Sequence, residues 1–168
     1  MQQIIFTTQR NLKLKMYKCQ HYTDSIFYQF EQTAKFCKHL SMQVFQKLEM
    51  PVTPDEFYAL DVIMLNEGIC QRELAKIILR DRPNTGRILD SLEEKGYIER
   101  FVDTKNNRLV KRIKLTEDGE VVAKETSNKL RDYIAKIPKV FSDEDKENLK
   151  DLIIRFRQSL EKEVEMKI

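Results

Sequence analysis

Apolar residues recur every three or four positions along most of this 168-residue chain, and the spacing changes in one short region. Residues 97–102 and 109–115 are rich in β-branched and aromatic side chains, and they flank a polar segment over residues 103–108. This pattern predicts a β-hairpin. With only four glycines and four prolines in the chain, the rest is expected to form long helices. The sequence therefore predicts a mainly α-helical fold with one small hairpin and excludes β-sandwiches, propellers and glycine-rich nucleotide folds.

Capping residues mark the start of the predicted helices before the hairpin. The Thr-Pro-Asp-Glu run that begins at Thr53 has the pattern of a capping box. Asp81 is a second predicted N-cap, so a short helix over residues 71–79 is followed by a helix over residues 81–95. Two helices joined by so tight a turn form a helix-turn-helix, and the hairpin that follows makes it a winged helix-turn-helix.

Long amphipathic helices are predicted on both sides of this region. The first covers residues 22–48 and the second about 116–137, with Thr116 as its N-cap. The last begins at the Ser142 cap, and its apolar stripe extends to Val164. Helices with this much apolar surface are not stable alone, so they need partners.

The residues that carry enzyme or metal chemistry are scarce. Three cysteines occur without a CxxC spacing, and there are only two histidines. There is no phosphate loop, HExxH or nucleophile elbow. We therefore predict no enzyme activity, no metal and no cofactor. No apolar stretch is long enough to cross a membrane and residues 1–18 lack a signal-peptide pattern, so a cytoplasmic protein is predicted.

Positive charge is concentrated in the middle of the chain. Residues 70–114 carry 12 lysines and arginines against 7 acids, whereas residues 51–69 carry four acids and no base. A basic region of this kind suits a surface that binds a polyanion. The alternative is a solvated surface of mixed charge, and the charge count alone leaves it open.

Several segments of the chain resemble the MarR family of bacterial transcriptional regulators. They are residues 71–75 (QRELA), 92–100 (LEEKGYIER) and 115–119 (LTEDG), together with Asp103 and Arg108 at the acidic and basic positions of the wing. The resemblance covers about residues 22–165, and it lies in the order of these segments between long helices. The helix-turn-helix is flanked, in this resemblance, by long dimerisation helices.

The resemblance implies a division of the chain and a function. Residues 1–50 would form an N-terminal arm and the first dimerisation helix, residues 51–115 the winged helix-turn-helix DNA-binding region, and residues 116–168 the C-terminal dimerisation helices, all within one domain. The expected function is a homodimeric, sequence-specific regulator, most often a repressor, that binds a pseudo-palindromic operator in double-stranded DNA. A small aromatic effector or an oxidant would release it. The alternative is a winged helix that binds a protein partner without specific DNA binding.

Eleven residues are the candidates for DNA contact. In a helix-turn-helix the N-terminal part of the second helix faces base edges, the start of the preceding helix attracts a phosphate, and a wing arginine suits the minor groove. These three places hold Arg82, Pro83, Asn84, Thr85 and Arg87; Gln71 and Arg72; and Lys105, Asn106, Asn107 and Arg108. Gly86 is expected to permit close approach of the backbone.

The wing and the cysteines depart from the family pattern. The run from Arg108 to Thr116 is about one residue longer than usual, so a bulge is expected in the returning strand. Cys19 and Cys70 are candidates for oxidant sensing, because Cys19 has basic neighbours and Cys70 lies at a predicted helix N-terminus. Cys37 is expected to pack as a small apolar residue. Aromatic residues could line an effector cleft, but most are expected to be core.

Overall fold

The structure, a computed structural model, describes residues 21–105, 108–135, 140–161 and 163, with the backbone alone at positions 105 and 108. Contacts divide the chain into two compact units, residues 1–47 and 48–168. The described residues form α1 (Ile26–Lys47), α2 (Pro54–Leu65), α3 (Gln71–Ile77), α4 (Arg82–Glu94), β1 (Ile98–Lys105), β2 (Arg108–Leu115), α5 (Glu117–Ala135) and α6 (Asp143–Glu161). The predicted fold class, mainly α with one hairpin after a helix-turn-helix, is confirmed.

The start of α2 is the predicted capping box. The backbone N–H of Thr53 donates to Glu56 Oε2 at 2.7 Å, and the N–H of Glu56 donates to Thr53 Oγ1 at 3.3 Å. Gly68, just past the end of this helix, has a φ of +71°, in the left-handed region that favours glycine. Both ends of α2 are thus fixed by local sequence.

The core of the second unit forms around α2, which contacts α3, α4, α5 and β2. The hydrophobic side chains that are almost fully buried come from each of these elements: Leu60, Ile63, Leu74, Leu89, Leu92, Ile113 and Ala123. Burial of a leucine or isoleucine side chain contributes about 1.5–3 kcal/mol. The helix-turn-helix and the base of the hairpin therefore share one hydrophobic core.

The hairpin is longer and more regular than its sequence predicted. Eight antiparallel pairs run without interruption from Ile98 opposite Leu115 to Lys105 opposite Arg108. The expected bulge in β2 is therefore wrong, and most of the segment predicted as a turn belongs to the strands. At the base, the N–H of Ile113 donates to the carbonyl of Ile69 at 3.0 Å, which adds an isolated bridge to the sheet. Buried Ile113 fixes the register there, and a one-residue slip would expose it.

Helix α5 is joined closely to the connection between α4 and β1. The N–H of Thr116 donates to the Tyr97 carbonyl at 3.1 Å, and the Thr116 hydroxyl donates to the Gly96 carbonyl at 2.6 Å. The same hydroxyl oxygen accepts the N–H of Gly119 at 3.0 Å, which confirms Thr116 as the N-cap. Gly119 is buried here against Tyr97.

The long flanking helices expose most of their apolar side chains. In α1 only Val44 and Phe45 are buried, and Phe36 is 74% exposed. Cys37, expected to pack as a small apolar residue, is exposed in the single chain. No residue of α6 within the described part is buried, and its Leu152 is 57% exposed.

Candidate nucleic-acid interface

An ion pair and a strained residue define the turn of the helix-turn-helix. Arg80 Nη2 lies 2.7 Å from Asp55 Oδ1 and 2.9 Å from Asp55 Oδ2, so the turn is tied to the first residues of α2. Leu79, directly before Arg80, has a φ of +54°, which is unfavourable for a residue with a Cβ. The direction in which α4 leaves the turn is therefore set by contacts outside α4.

Asp81 caps α4 as the sequence predicted, and it does more than cap. Its Oδ1 accepts the backbone N–H of Asn84 at 2.7 Å, and its Oδ2 accepts the side-chain Nδ2 of Asn84 at 2.7 Å. Asn84 Oδ1 in turn accepts from Arg87 Nη1 at 3.3 Å. These three exposed side chains form one chain of hydrogen bonds along the start of the helix.

Gln71 holds the two helices together at their N-terminal ends. Its Nε2 donates to the carbonyl of Arg82 at 3.0 Å. Gly86 faces the same amide, because a Cβ built at this position would lie 3.3 Å from Gln71 Nε2. The close approach that Gly86 permits is thus toward α3, and Gln71 positions the backbone of Arg82. Arg72, the next residue of α3, is exposed.

Thr85 lies away from the surface that the sequence assigned to it. Its side chain is completely buried, and its hydroxyl donates to the Asp81 carbonyl at 2.8 Å. It therefore cannot reach a base in this conformation, and we remove it from the candidate contacts. Arg82, Pro83, Asn84 and Arg87 are exposed on α4, and the polar three remain together at its N-terminal end.

The wing is held at its base by Arg112, which sequence reasoning did not single out. Arg112 Nε lies 2.6 Å from Asp103 Oδ2, and its Nη1 donates to the carbonyl of Gly68. Asp103 and Arg112 lie on the same face of the hairpin, two positions out of register. Asn106 and Asn107 lie outside the described residues, as do the side chains of Lys105 and Arg108.

The C-terminal half of α4 is fastened to α2 through Glu56. Its Oε1 accepts the Ser91 hydroxyl at 2.6 Å, and both carboxylate oxygens accept from Lys95 Nζ at 2.8 and 2.9 Å. Burial raises the pKa of Glu56, but the hydrogen bonds from Lys95, Ser91 and the Thr53 N–H together outweigh burial, so the pKa is lowered. This buried carboxylate therefore holds the end of α4 against α2.

The two cysteines proposed as oxidant sensors have few described contacts. Cys70 is half-exposed at the N-cap of α3, where its N–H donates to Glu73 Oε2 at 3.0 Å, and Cys19 lies outside the described residues. Across the described part of the chain, no group of three metal-binding side chains converges. Nor does any helix there combine the length and hydrophobicity needed to span a bilayer.

The sequence is similar to that of known proteins. Residues 52–110 match the model of the MarR family. A HTH-type transcriptional regulator of Bacillus subtilis (strain 168), YybA, is 28% identical over 117 residues, which cover 70% of this chain and 77% of that protein.

Several solved structures share the fold. The transcriptional regulator SlyA is 26% identical with a TM-score of 0.69, and the match covers 83% of this chain and 96% of that one. MepR of S. aureus, in a MepR–DNA complex, is 22% identical with a TM-score of 0.67, covering 83% and 99%. Apo MarR of E. coli is 22% identical with a TM-score of 0.64, covering 79% and 96%.

Proposed function

We propose that this chain is a member of the MarR family, whose members are transcription regulators and not enzymes, and that it acts as a homodimeric, sequence-specific repressor. In this proposal the N-terminal end of α4 enters the major groove of double-stranded DNA, and the wing contacts the backbone or minor groove. The protein would act in the cytoplasm, where it would block a promoter that contains a pseudo-palindromic operator.

The observation that carries this proposal is the build of α4. Its exposed polar end presents Arg82, Asn84 and Arg87, while its other end is clamped to α2 through Glu56. Arginine suits guanine and asparagine suits adenine in the major groove, each good pair contributing about 1–3 kcal/mol of discrimination. A helix that is held at both ends and exposes these side chains is suited to recognise bases in the major groove.

Exposed apolar surface supports the homodimer. The stripes of α1 and α6 leave large side chains such as Phe36 and Leu152 open to solvent, and helices of this kind need packing partners. A second copy of the chain supplies matching stripes, and its two-fold symmetry predicts half-sites one helical turn apart, about 34–36 Å.

The experiment is a selection from random duplexes near physiological salt, with sedimentation of the free protein. We expect a dimer and an enriched inverted repeat with half-sites about one turn apart. Arg87→Ala should weaken binding to this repeat, whereas Arg131→Ala, an exposed arginine on α5, should not.

The salt dependence separates the two functions left open by the sequence. Affinity for DNA should fall with a log–log slope of about −0.9 for each phosphate contact. A folded dimer that enriches no sequence, or a shallow slope with mixed contacts, would instead favour a protein-interaction module.

Release by an effector is proposed as a property of the same complex. Salicylate, as a flat phenolic probe, and hydrogen peroxide would each be added to the protein on its selected operator. Release by either supports the proposal, and peroxide release abolished by Cys70→Ser or Cys19→Ser identifies the sensing thiol. Retention of DNA at saturating amounts of both would contradict it.

A further inference from the structure

The side-chain amide of Asn84 is held in one orientation by two partners of opposite character. Asp81 Oδ2 accepts its Nδ2 at 2.7 Å, and Arg87 Nη1 donates to its Oδ1 at 3.3 Å. A carboxylate can only accept and a guanidinium can only donate. Turning the amide over would bring oxygen against the carboxylate and NH₂ against the guanidinium. The free protein therefore fixes which end of the amide is the donor.

This arrangement leaves half of the hydrogen-bonding capacity of Asn84 unused by Asp81 and Arg87. The NH₂ group has a second hydrogen, and the amide oxygen has a second lone pair. The side chain is exposed near the start of α4. Adenine presents an acceptor, N7, and a donor, N6–H, side by side in the major groove. The remaining donor and acceptor of Asn84 match that edge in one direction only.

We propose that Asp81 is a positioning residue for base recognition, because it fixes the polarity with which Asn84 reads an adenine in each half-site. The inference rests on the proposed DNA-binding function. Asp81 acts through Asn84 and does not itself contact DNA. A fixed donor–acceptor order distinguishes A·T from the reversed T·A pair at the same position, whereas a freely turning amide distinguishes them less.

Capping alone does not require this arrangement. An N-cap needs one side-chain oxygen to accept a backbone N–H. Asp81 Oδ1 is that oxygen, and it lies 2.7 Å from the backbone nitrogen of Asn84. The second oxygen, Oδ2, accepts a hydrogen bond from the side-chain Nδ2 of Asn84. Serine caps a helix as well as aspartate does, but it has no second oxygen. Asp81→Ser therefore separates the cap from the positioning role.

The test compares two duplexes that differ in one base pair of the selected half-site. The position is the one at which Asn84→Ala removes the preference between A·T and T·A. Wild type should prefer one of them at least about fivefold, the lower end of 1–3 kcal/mol. Asp81→Ser should bring this ratio within about twofold of 1, and in the Asn84→Ala background it should have no further effect on the ratio.

Removal of a negative charge near DNA also strengthens binding to every sequence, so the ratio and not the affinity is the readout. Glu73→Gln is the charge control, because it removes an acid at the start of α3 and keeps Asp81 and Arg87, the two partners of the Asn84 side chain. It should change affinity for both duplexes equally. A change of ratio in Glu73→Gln as large as that in Asp81→Ser would overturn the proposal.

A second measurement needs no DNA. In protein labelled with ¹⁵N on asparagine side chains, the Asn84 Nδ2 proton bonded to Asp81 should be shifted downfield and slowed in hydrogen exchange relative to an exposed asparagine, and Asp81→Ser should return both values to those of an exposed asparagine. If wild type enriches no sequence, both the proposed function and this role fail. If it enriches one and Asp81→Ser keeps both the base ratio and the amide signals, only the role of Asp81 fails.

Discussion

Gly119 is the position where one added carbon atom should do the most damage to the fold. A Cβ at Gly119 would lie 1.9 Å from the Tyr97 carbonyl oxygen and 2.8 Å from its carbon. To bring this Cβ to an ordinary van der Waals distance of about 3.5 Å from the carbonyl oxygen, α5 must move roughly 1.5 Å away from Tyr97. Such a shift breaks the hydrogen bonds that Thr116 makes to the Tyr97 and Gly96 carbonyls, now 3.1 and 2.6 Å long.

The expected cost of Gly119→Ala follows from these contacts. Each lost hydrogen bond costs about 1 kcal/mol, and overpacking costs about 2 kcal/mol. The better helix propensity of alanine returns about 1 kcal/mol. The variant should therefore lose about 3 kcal/mol of unfolding free energy and about 6–12 °C in Tm.

Gly86→Ala is the matched control, since it makes the same substitution within a helix. There the new Cβ would meet only the end of the Gln71 side chain, at 3.3 Å. We expect stability within about 1 kcal/mol of wild type. Urea denaturation followed by circular dichroism, at one fixed protein concentration, measures both. Loss of less than 1 kcal/mol in Gly119→Ala, or equal losses in the two variants, would refute the steric reasoning.

Three further predictions concern the supports of the helix-turn-helix and wing. Glu56→Gln should cost about 2 kcal/mol near pH 7, where Lys95 binds the carboxylate. Because the pKa of Glu56 is lowered in the folded state, the carboxylate stabilises the fold at pH values above its unfolded pKa of about 4.3, and this stabilisation is lost as the pH falls through the folded pKa. The difference in unfolding free energy between wild type and Glu56→Gln, measured by denaturation near pH 7 and at acidic pH, should therefore be smaller at acidic pH. Leu79→Gly should gain about 0.5 kcal/mol by relieving a φ of +54° and Leu79→Ala should not; equal urea midpoints would contradict this. Arg112→Met removes the ties of the wing to Asp103 and the Gly68 carbonyl, so amide hydrogen exchange over residues 99–104 should accelerate about 10-fold or more; unchanged exchange would show that the ties do not hold the wing.

Local signals in the sequence predicted the elements and their ends. The Thr53 capping box and the Asp81 cap are confirmed, and Gly68 and Gly96, which follow α2 and α4, have φ values of +71° and +75°. Each depends on residues within one turn of the chain, so each can be read without knowing the fold.

The supports of the candidate site could not be predicted in the same way. The Arg80–Asp55 and Lys95–Glu56 pairs join residues 25 and 39 positions apart, and no local pattern links them. Thr85 is different, because a signal existed. It lies four positions before the buried Leu89, on the same stripe of α4, so helical period placed it inside even though its polarity suggested a surface role.

The backbone of Tyr97 connects α4 to α5. Its N–H donates to the carbonyl of Leu92 in α4 at 2.9 Å, and its carbonyl accepts the N–H of Thr116 before α5 at 3.1 Å. Gly119 is so close to the same carbonyl that α5 cannot move nearer. A displacement of α5 toward Tyr97 must therefore carry the end of α4 with it, and a displacement away from Tyr97 must break the hydrogen bonds of Thr116. In the proposed dimer this stiffness makes the spacing of the two α4 helices depend on the packing of α5, which is the coupling that release from DNA requires.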